Sequence, residues 1–377
     1  MKILFCWDVI NNYMAACWRE LAAREKVDLS VIAVRSNRAR TEFDYSASVT
    51  QGFDCTLITT EETADTKKIS SLVNSFGPDI IFLAGWSIPA YAALVYEKRL
   101  SGVPKVMTMD TTLKRDWRQF IAPLKIGRYL KRMAAVFVPG ERSRQLARYW
   151  GVPETKIRMG SYSFDYNLFA RAYEARTRLP EWPKAFLFTG QYIERKGIHQ
   201  LLSAYGRYRK SVDDPWPLTL CGSGPLKNLL QGLPGVKDRG FAQPADMGGV
   251  MEKAGVFVHP SLYDAWGVAI AEACAAGLPV LCTAGCAASV ELVRDYYNGI
   301  ALPTGDDLAL HNAMVWMHEN HASLPQMGAN SQSLARPYSA EAWLDRVLSI
   351  VEDVCCEPQE DCPASARQGH APSEIRK

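Results

Sequence analysis

The chain has 377 residues, enough for two or three domains, each with a core of its own. An apolar fraction of 48% and a charged fraction of 22% are those of an ordinary soluble globular protein and exclude a disordered or fibrous chain. The net charge of +3 shows no broad basic face for nucleic acid, yet it is unevenly placed: residues 1–170 hold 24 Lys and Arg against 17 Asp and Glu, the remainder 19 against 23. The first half is therefore the one suited to an acidic partner surface.

Apolar strand-like runs alternate with helical stretches along the whole chain, which predicts α/β domains built on parallel sheets. Met1-Lys-Ile-Leu-Phe-Cys-Trp-Asp8 has too short an apolar run for a signal peptide and reads as the first strand, over Lys2 to Cys6. The loop after it, through Asn11 and Asn12, is either a plain strand-to-helix turn or an acceptor-lining segment in which Asn12 touches substrate. Further strands are predicted over Asp28 to Val34, Cys55 to Thr59, Asp79 to Ala84, Lys105 to Met109 and Ala135 to Pro139. Residues 113–132 carry Lys114, Arg115, Arg118, Lys125, Arg128, Lys131 and Arg132 among Trp117, Phe120, Ile121, Leu124, Ile126, Tyr129 and Leu130. Such a helix either packs its apolar face on its own domain or lies on an anionic membrane surface.

A boundary is expected within Ser163 to Lys184, where Arg, Glu, Pro and Trp interrupt the pattern. It divides residues 1–170 from a second Rossmann-like domain at 171–336. Strands of the second domain are predicted over Ala185 to Thr189, Pro217 to Cys221, Val236 to Arg239, Val256 to His259, Pro279 to Cys282 and Ile300 to Leu302. A serine-capped helix follows at 337–354. Residues 355–377, rich in Pro, Ser, Ala, Gln and charge, read as a disordered tail. The ten cysteines include no Cys-x2-Cys pair, which suits a reduced, cytosolic protein with buried thiols. Gly and Pro interrupt the longest uncharged stretches, so no transmembrane segment is expected.

Two segments carry chemistry. In Phe186-Leu-Phe-Thr-Gly190-Gln-Tyr-Ile-Glu-Arg195-Lys196-Gly197, a strand leads through a glycine turn to a basic tip and an amphipathic helix. A lysine there is either a surface residue or a phosphate ligand above the carboxyl ends of parallel strands. In His259-Pro-Ser-Leu-Tyr-Asp264-Ala-Trp-Gly267-Val268-Ala-Ile-Ala-Glu272, a helix is predicted over Trp266 to Ala276, stopped by Gly277 and Pro279. Helical geometry would separate Asp264 and Glu272 by roughly 12 Å and about 80° of rotation, the span of a nucleotide-diphosphate-sugar. The amides at Gly267 and Val268 would then welcome a diphosphate. The plain alternative is a helix cap at Asp264 and a solvated Glu272.

Together the segments resemble the retaining glycosyltransferases of family 4, which have the GT-B fold: two Rossmann-like domains facing each other across a cleft. The resemblance covers roughly residues 135 to 350. It implies that Lys196 binds the donor diphosphate, that Asp264 faces the donor sugar and that Glu272 holds the ribose hydroxyls. It also implies that the Gly267 and Val268 amides lie near sugar and phosphate, and that Cys221-Gly222-Ser-Gly224-Pro225 forms a loop near the base. Glu291 and Asn298-Gly299 fit the next block of the family pattern. Departures are Gln191 where an arginine is usual after Gly190, with Arg195 the candidate substitute; Asp264 in place of glutamate; and Met107-Thr-Met109-Asp110 where many members carry a histidine, leaving Asp110 as a possible sugar contact.

No Asp-x-Asp, the metal–diphosphate anchor of the other large glycosyltransferase fold, occurs in the chain. The expectation is therefore retaining transfer without metal or cofactor, from a nucleotide-diphosphate-sugar to a glycan or lipid-linked acceptor in surface-polysaccharide assembly. Attachment to the cytoplasmic membrane face through residues 113–132 is expected, with no nucleic acid partner. The rivals are a sugar-nucleotide epimerase of related architecture, a phosphorylase-like enzyme and a degenerate transferase-like partner protein.

Overall fold

The computed structural model describes residues 1–35, 49–114 and 116–355. Arg115 of the basic stretch and tail residues 356–377 lie outside the described residues, whereas Cys355 is the last residue of a helix rather than part of the tail.

Seven parallel strands form the first sheet: β1 (Lys2–Val9), β2 (Asp28–Val34), β3 (Asp54–Ile58), β4 (Ile80–Ala84), β5 (Lys105–Thr108), β6 (Ala135–Val138) and β7 (Ile157–Met159), in the order β3-β2-β1-β4-β5-β6-β7. The second sheet contains β8 (Phe186–Thr189), β9 (Leu218–Cys221), β10 (Val236–Gly240), β11 (Val256–His259), β12 (Val280–Thr283) and β13 (Gly299–Leu302), ordered β10-β9-β8-β11-β12-β13. Both central regions are buried on both faces, hence their continuous apolar runs (Ile3 to Cys6, Ile80 to Leu83, Val256 to Val258). The strand order reverses between β1 and β4 and again between β8 and β11. Those two switch points, outside the strand carboxyl ends, are where doubly wound sheets hold ligands.

The crossing between the two bodies comes earlier than residue 170. The helix Tyr166–Thr177, capped by Asp165 accepting from the Leu168 amide at 3.0 Å, buries Phe169 and Ala172 in the core of the second sheet. Arg176, fully buried there, donates to the carbonyls of Ala276 (2.6 Å) and Met251. That anchor explains why a segment with charged residues is nonetheless part of a folded domain. The helix Ala340–Cys355 returns to the first sheet, where Trp343 packs on Phe5 with ring centroids 5.8 Å apart and donates its indole N–H to the Ser161 carbonyl at 3.0 Å. Leu344, Val347, Ile350 and Val351 extend that contact.

Direct contacts bridge the bodies near the cleft. Glu291 accepts from the Glu141 amide at 2.6 Å, capping the helix Glu141–Tyr149, whose own N-cap, Gly140, has no side chain to do so. Lys114 Nζ stands 3.7 Å from the centroid of the Tyr263 ring. Among the described residues every cysteine is a free thiol.

Candidate donor site at the second switch point

The loops after β8 and β11 meet at one carboxylate. Asp264 is buried, and its Oδ2 lies 2.7 Å from Lys196 Nζ and 2.8 Å from His259 Nε2. Its Oδ1 lies 2.8 Å from Arg195 Nη1 and 2.9 Å from Lys196 Nζ. Arg195 Nη1 donates also to the Tyr263 carbonyl at 2.8 Å. The basic tip is formed by the short 3-10 turn Glu194–Lys196, followed by the helix Ile198–Ser211, whose Ile198, Leu201 and Tyr205 are buried. Gln191, by contrast, is exposed. Arg195 thus stands beside Lys196 on the same carboxylate.

Burial on its own would raise the Asp264 carboxyl; the hydrogen bond from His259 and the charge of Lys196 outweigh it and hold Asp264 well below the usual carboxylate range. His259 is completely buried between Phe188 and Phe257, and burial lowers its pKa against the opposing pull of Asp264. A neutral imidazole with its proton on Nε2 donates to Asp264, while Nδ1 has no hydrogen-bond partner. His259 ends β11 and stood in the motif without an assigned role. Its function depends on a loop folding back onto it, which sequence spacing does not reveal.

The helix after Asp264 runs only over Val268–Ala275. Gly267 has φ +97, a left-handed conformation, and a Cβ there would collide with Cys286 Sγ. The helical separation of roughly 12 Å drawn from Asp264 to Glu272 therefore does not apply: residues 264–267 are not helical, and Asp264 forms an isolated parallel bridge with Cys286 instead. What survives is the position of Gly267 and Val268 at the helix N-terminus, where the first amides lack intrahelical acceptors. Glu272 lies in the last turns of this helix, half-buried, its carboxyl pushed up to about 7 by burial. The donor atoms of His259, Asp264 and Cys286 lie within 4.8 Å of one another. Lys196 and Arg195 also hold this carboxylate, and burial raises the Cys286 thiol.

Beside this cluster the β9 loop docks on the β8 loop. Gly222 approaches the Gly190 carbonyl so closely that a Cβ would not fit, and Gly224 lies against the backbone of Tyr192. The Tyr192 amide donates to the Ser223 carbonyl at 2.8 Å.

Across the cleft, a cavity of about 410 Å³ opens at the first switch point, lined by Trp7, Asp8, Asn11, Tyr13, Trp86, Asp110 and Tyr162 among others. Asp110 Oδ2 accepts from the Tyr162 hydroxyl at 3.0 Å, a pairing over 52 positions that the sequence did not signal. Asn12 begins the helix Asn12–Ala22, and its neighbour Asn11, not Asn12, lines the cavity while capping that helix through the Met14 amide at 3.1 Å.

Two family models account for most of the chain: glycosyl transferases group 1 over residues 170–334, and the glycosyl transferase 4-like domain over residues 10–162. The chain belongs to the group 1 glycosyltransferases. Within that family it is 28% identical over 181 residues to phosphatidyl-myo-inositol mannosyltransferase of Mycobacterium leprae, covering 46% of this chain and 48% of the relative. It is 26% identical over 199 residues to the D-rhamnosyltransferase WbpZ of Pseudomonas aeruginosa, 48% of this chain and 49% of that one. The chain thus matches about half the length of these curated relatives. The crystal structure of Anabaena HepE in complex with UDP superposes with a TM-score of 0.74 at 18% identity, covering 93% of this chain and 100% of HepE, a likeness of fold. The fold is GT-B.

Proposed function

We propose that the protein transfers a glycosyl group from a nucleoside-diphosphate sugar to an acceptor hydroxyl, with retention and without a metal ion. The observation that carries this reading is the meeting of Lys196, Arg195 and Asp264 beside the helix N-terminus at Gly267, at the switch point of the second sheet. Lys196, Arg195 and the first amides of that helix stabilise charge on the departing diphosphate, the role a divalent ion fills elsewhere. Asp264 accepts from a hydroxyl of the donor sugar and Glu272 from the ribose. The acceptor oxygen bonds to the anomeric carbon on the face the diphosphate leaves, and the departing phosphate oxygen takes the hydroxyl proton, so no separate enzymic base is required. Relatives that act on phosphatidyl-myo-inositol or transfer D-rhamnose support sugar transfer, and HepE, crystallised with UDP, supports a nucleotide donor.

The acceptor we propose is lipid-linked, with the protein peripheral on the cytoplasmic membrane face in polysaccharide assembly. In the helix Trp117–Leu130, Ile126, Tyr129 and Leu130 face inward, while Trp117, Phe120 and Leu124 are 68%, 72% and 88% exposed. This second apolar stripe, at spacing i, i+3, i+7, is flanked by Arg118, Lys125 and Arg128, a match for anionic lipid. No described helix is long and apolar enough to cross a membrane.

Incubation with a panel of UDP-, GDP- and other sugar nucleotides tests the reading. Slow release of free sugar that depends on Lys196 supports it. An altered but intact nucleotide sugar would point to an epimerase, and no binding of any nucleotide to a catalytically silent partner protein.

A further inference from the structure

The carboxylate at the centre of the donor cluster stands where two loops meet, and each loop is gripped by a cation from the first domain. Asp264 is fixed along its backbone by the segment that follows β12. Its amide donates to the Gly285 carbonyl at 3.0 Å, and its carbonyl accepts from the Ala287 amide at 3.2 Å, across the bridge to Cys286. One residue before Asp264, Tyr263 offers its ring to Lys114 Nζ, 3.7 Å from the centroid, while its carbonyl accepts from Arg195 at 2.8 Å. One residue before Gly285, the Ala284 carbonyl accepts from Arg142 Nη1. Lys114 and Arg142 therefore hold Asp264 from across the cleft, one on each segment of its bridge.

The two cations are themselves tied together. The Leu113 amide donates to the Arg142 carbonyl at 3.3 Å, so residues 113–114 ride on the start of the helix Glu141–Tyr149. Glu291, from the second domain, caps that start through the Glu141 amide at 2.6 Å. The grip is thus reciprocal: the second domain completes the helix that carries Arg142, and Arg142 returns a hydrogen bond. Gly140 sets how closely the two surfaces approach. Its φ of −168° is extended backbone open to any residue, yet a Cβ there would strike the Glu291 carboxyl and the Trp266 ring. Lys196, Arg195 and His259, which touch the Asp264 carboxylate, all belong to the second domain. Lys114 and Arg142 touch a ring and a backbone carbonyl instead, and so act on where Asp264 stands.

We propose that Lys114 and Arg142 are positioning residues of the transfer reaction: the first domain holds Tyr263-Asp264 and Ala284–Ala287 so that the carboxylate is presented to the donor sugar. The inference rests on the transfer reading above and extends its donor site across the cleft, to two residues that act without touching the donor. The diphosphate stays with Lys196, Arg195 and the helix amides, so cutting the grip separates turnover from nucleotide affinity. A displacement of about 1 Å at a reacting contact costs on the order of a hundredfold in rate.

The test measures sugar release from the UDP- or GDP-sugar that wild type turns over fastest, together with calorimetric affinity for the matching diphosphate. Arg142→Ala and Lys114→Ala should each lower kcat about threefold to tenfold, and the double variant about thirtyfold. Diphosphate affinity should stay within about threefold and Tm within a few degrees. Lys114→Arg, which keeps a cation for the Tyr263 ring, should recover turnover; Lys114→Met, which keeps only length, should not. Gly140→Ala should reproduce the loss with both cations in place. Parallel losses of affinity and kcat overturn the proposal, as does full turnover in the double variant or in Gly140→Ala. Hydrogen exchange on the full chain gives a readout independent of turnover. The Asp264 and Ala287 amides should exchange about tenfold faster in the double variant, with those of β11 and β12 unchanged. If wild type turns over no sugar nucleotide, the transfer reading fails and exchange alone judges the grip: unchanged protection of both amides overturns it.

Discussion

Lys196 Nζ and Asp264 Oδ2 stand 2.7 Å apart, with His259 on the same carboxylate oxygen and Arg195 on the other. In the proposed donor site, the cations assigned to the diphosphate are thus held by an acid in the ligand-free protein. On the reading proposed above, donor binding exchanges partners: the diphosphate takes Lys196 and Arg195, and the freed carboxylate turns to the sugar.

That exchange predicts opposite effects at Asp264. Asp264→Asn removes the competitor, so the nucleoside diphosphate should bind about threefold to tenfold more tightly, while turnover falls at least a hundredfold. Calorimetry and a transfer assay on one preparation check both. Equal losses in binding and turnover would mean Asp264 merely organises the loop.

The carboxyls of Asp264 and Glu272 shift in opposite senses, and their pH signatures follow. Asp264 is depressed, so its stabilising contribution is present above its unfolded value near 3.8 and is lost only as the pH falls through the lower folded value. Glu272 is raised from 4.5 to about 7, so the stability tied to its protonated form is complete below 4.5 and fades as the pH rises through 7. Glu272→Gln should therefore gain about 1–2 kcal/mol over wild type at pH 8 and nothing at pH 4.5. Denaturant melts at both pH values measure this; a constant difference contradicts it.

Gly267 combines a left-handed backbone with a wall of Cys286 sulfur. Gly267→Ala should cost about 2–4 kcal/mol, from backbone strain and overpacking together. Nucleotide affinity should fall with it, because the same shift displaces the helix amides. Cys286→Ala, which opens space without relieving φ, should restore only part of the loss in a double variant.

The exposed stripe of the Trp117–Leu130 helix makes a prediction separable from catalysis. Replacing Trp117, Phe120 and Leu124 with Ser should abolish co-sedimentation with vesicles containing phosphatidylserine and leave the melting temperature within a degree or two. Charge reversal at Arg128 and Lys131 should weaken that binding and its salt sensitivity. Retained binding after both changes would remove the membrane role.

The sheets were legible because parallel strands buried on both faces read as apolar runs between Gly and Pro: Asp28–Val34 and Val256–His259 coincide with their predicted bounds. The edge strand Ile157–Met159 escaped, being three residues long with Met159 exposed and Arg158 between. The motif residues Lys196, Arg195 and Asp264 could be found by spacing, and the structure brings them together. The distance drawn from Asp264 to Glu272 could not, because it assumed a helix through Gly267. His259, Cys286 and Tyr162 act through contacts that chain folding creates, across loops or between β5 and the β7 exit, and nothing local in the sequence encodes those pairings.

The most direct test of the donor site is a calorimetric titration of Lys196→Ala and wild type with the nucleoside diphosphate that wild type prefers among UDP, GDP and ADP. Loss of a charge-assisted phosphate contact at a half-buried cation predicts affinity reduced about tenfold to a hundredfold, with the fold intact by circular dichroism. Equal affinity in the two proteins would show that the diphosphate does not lie against Lys196, and the site assigned here would be wrong.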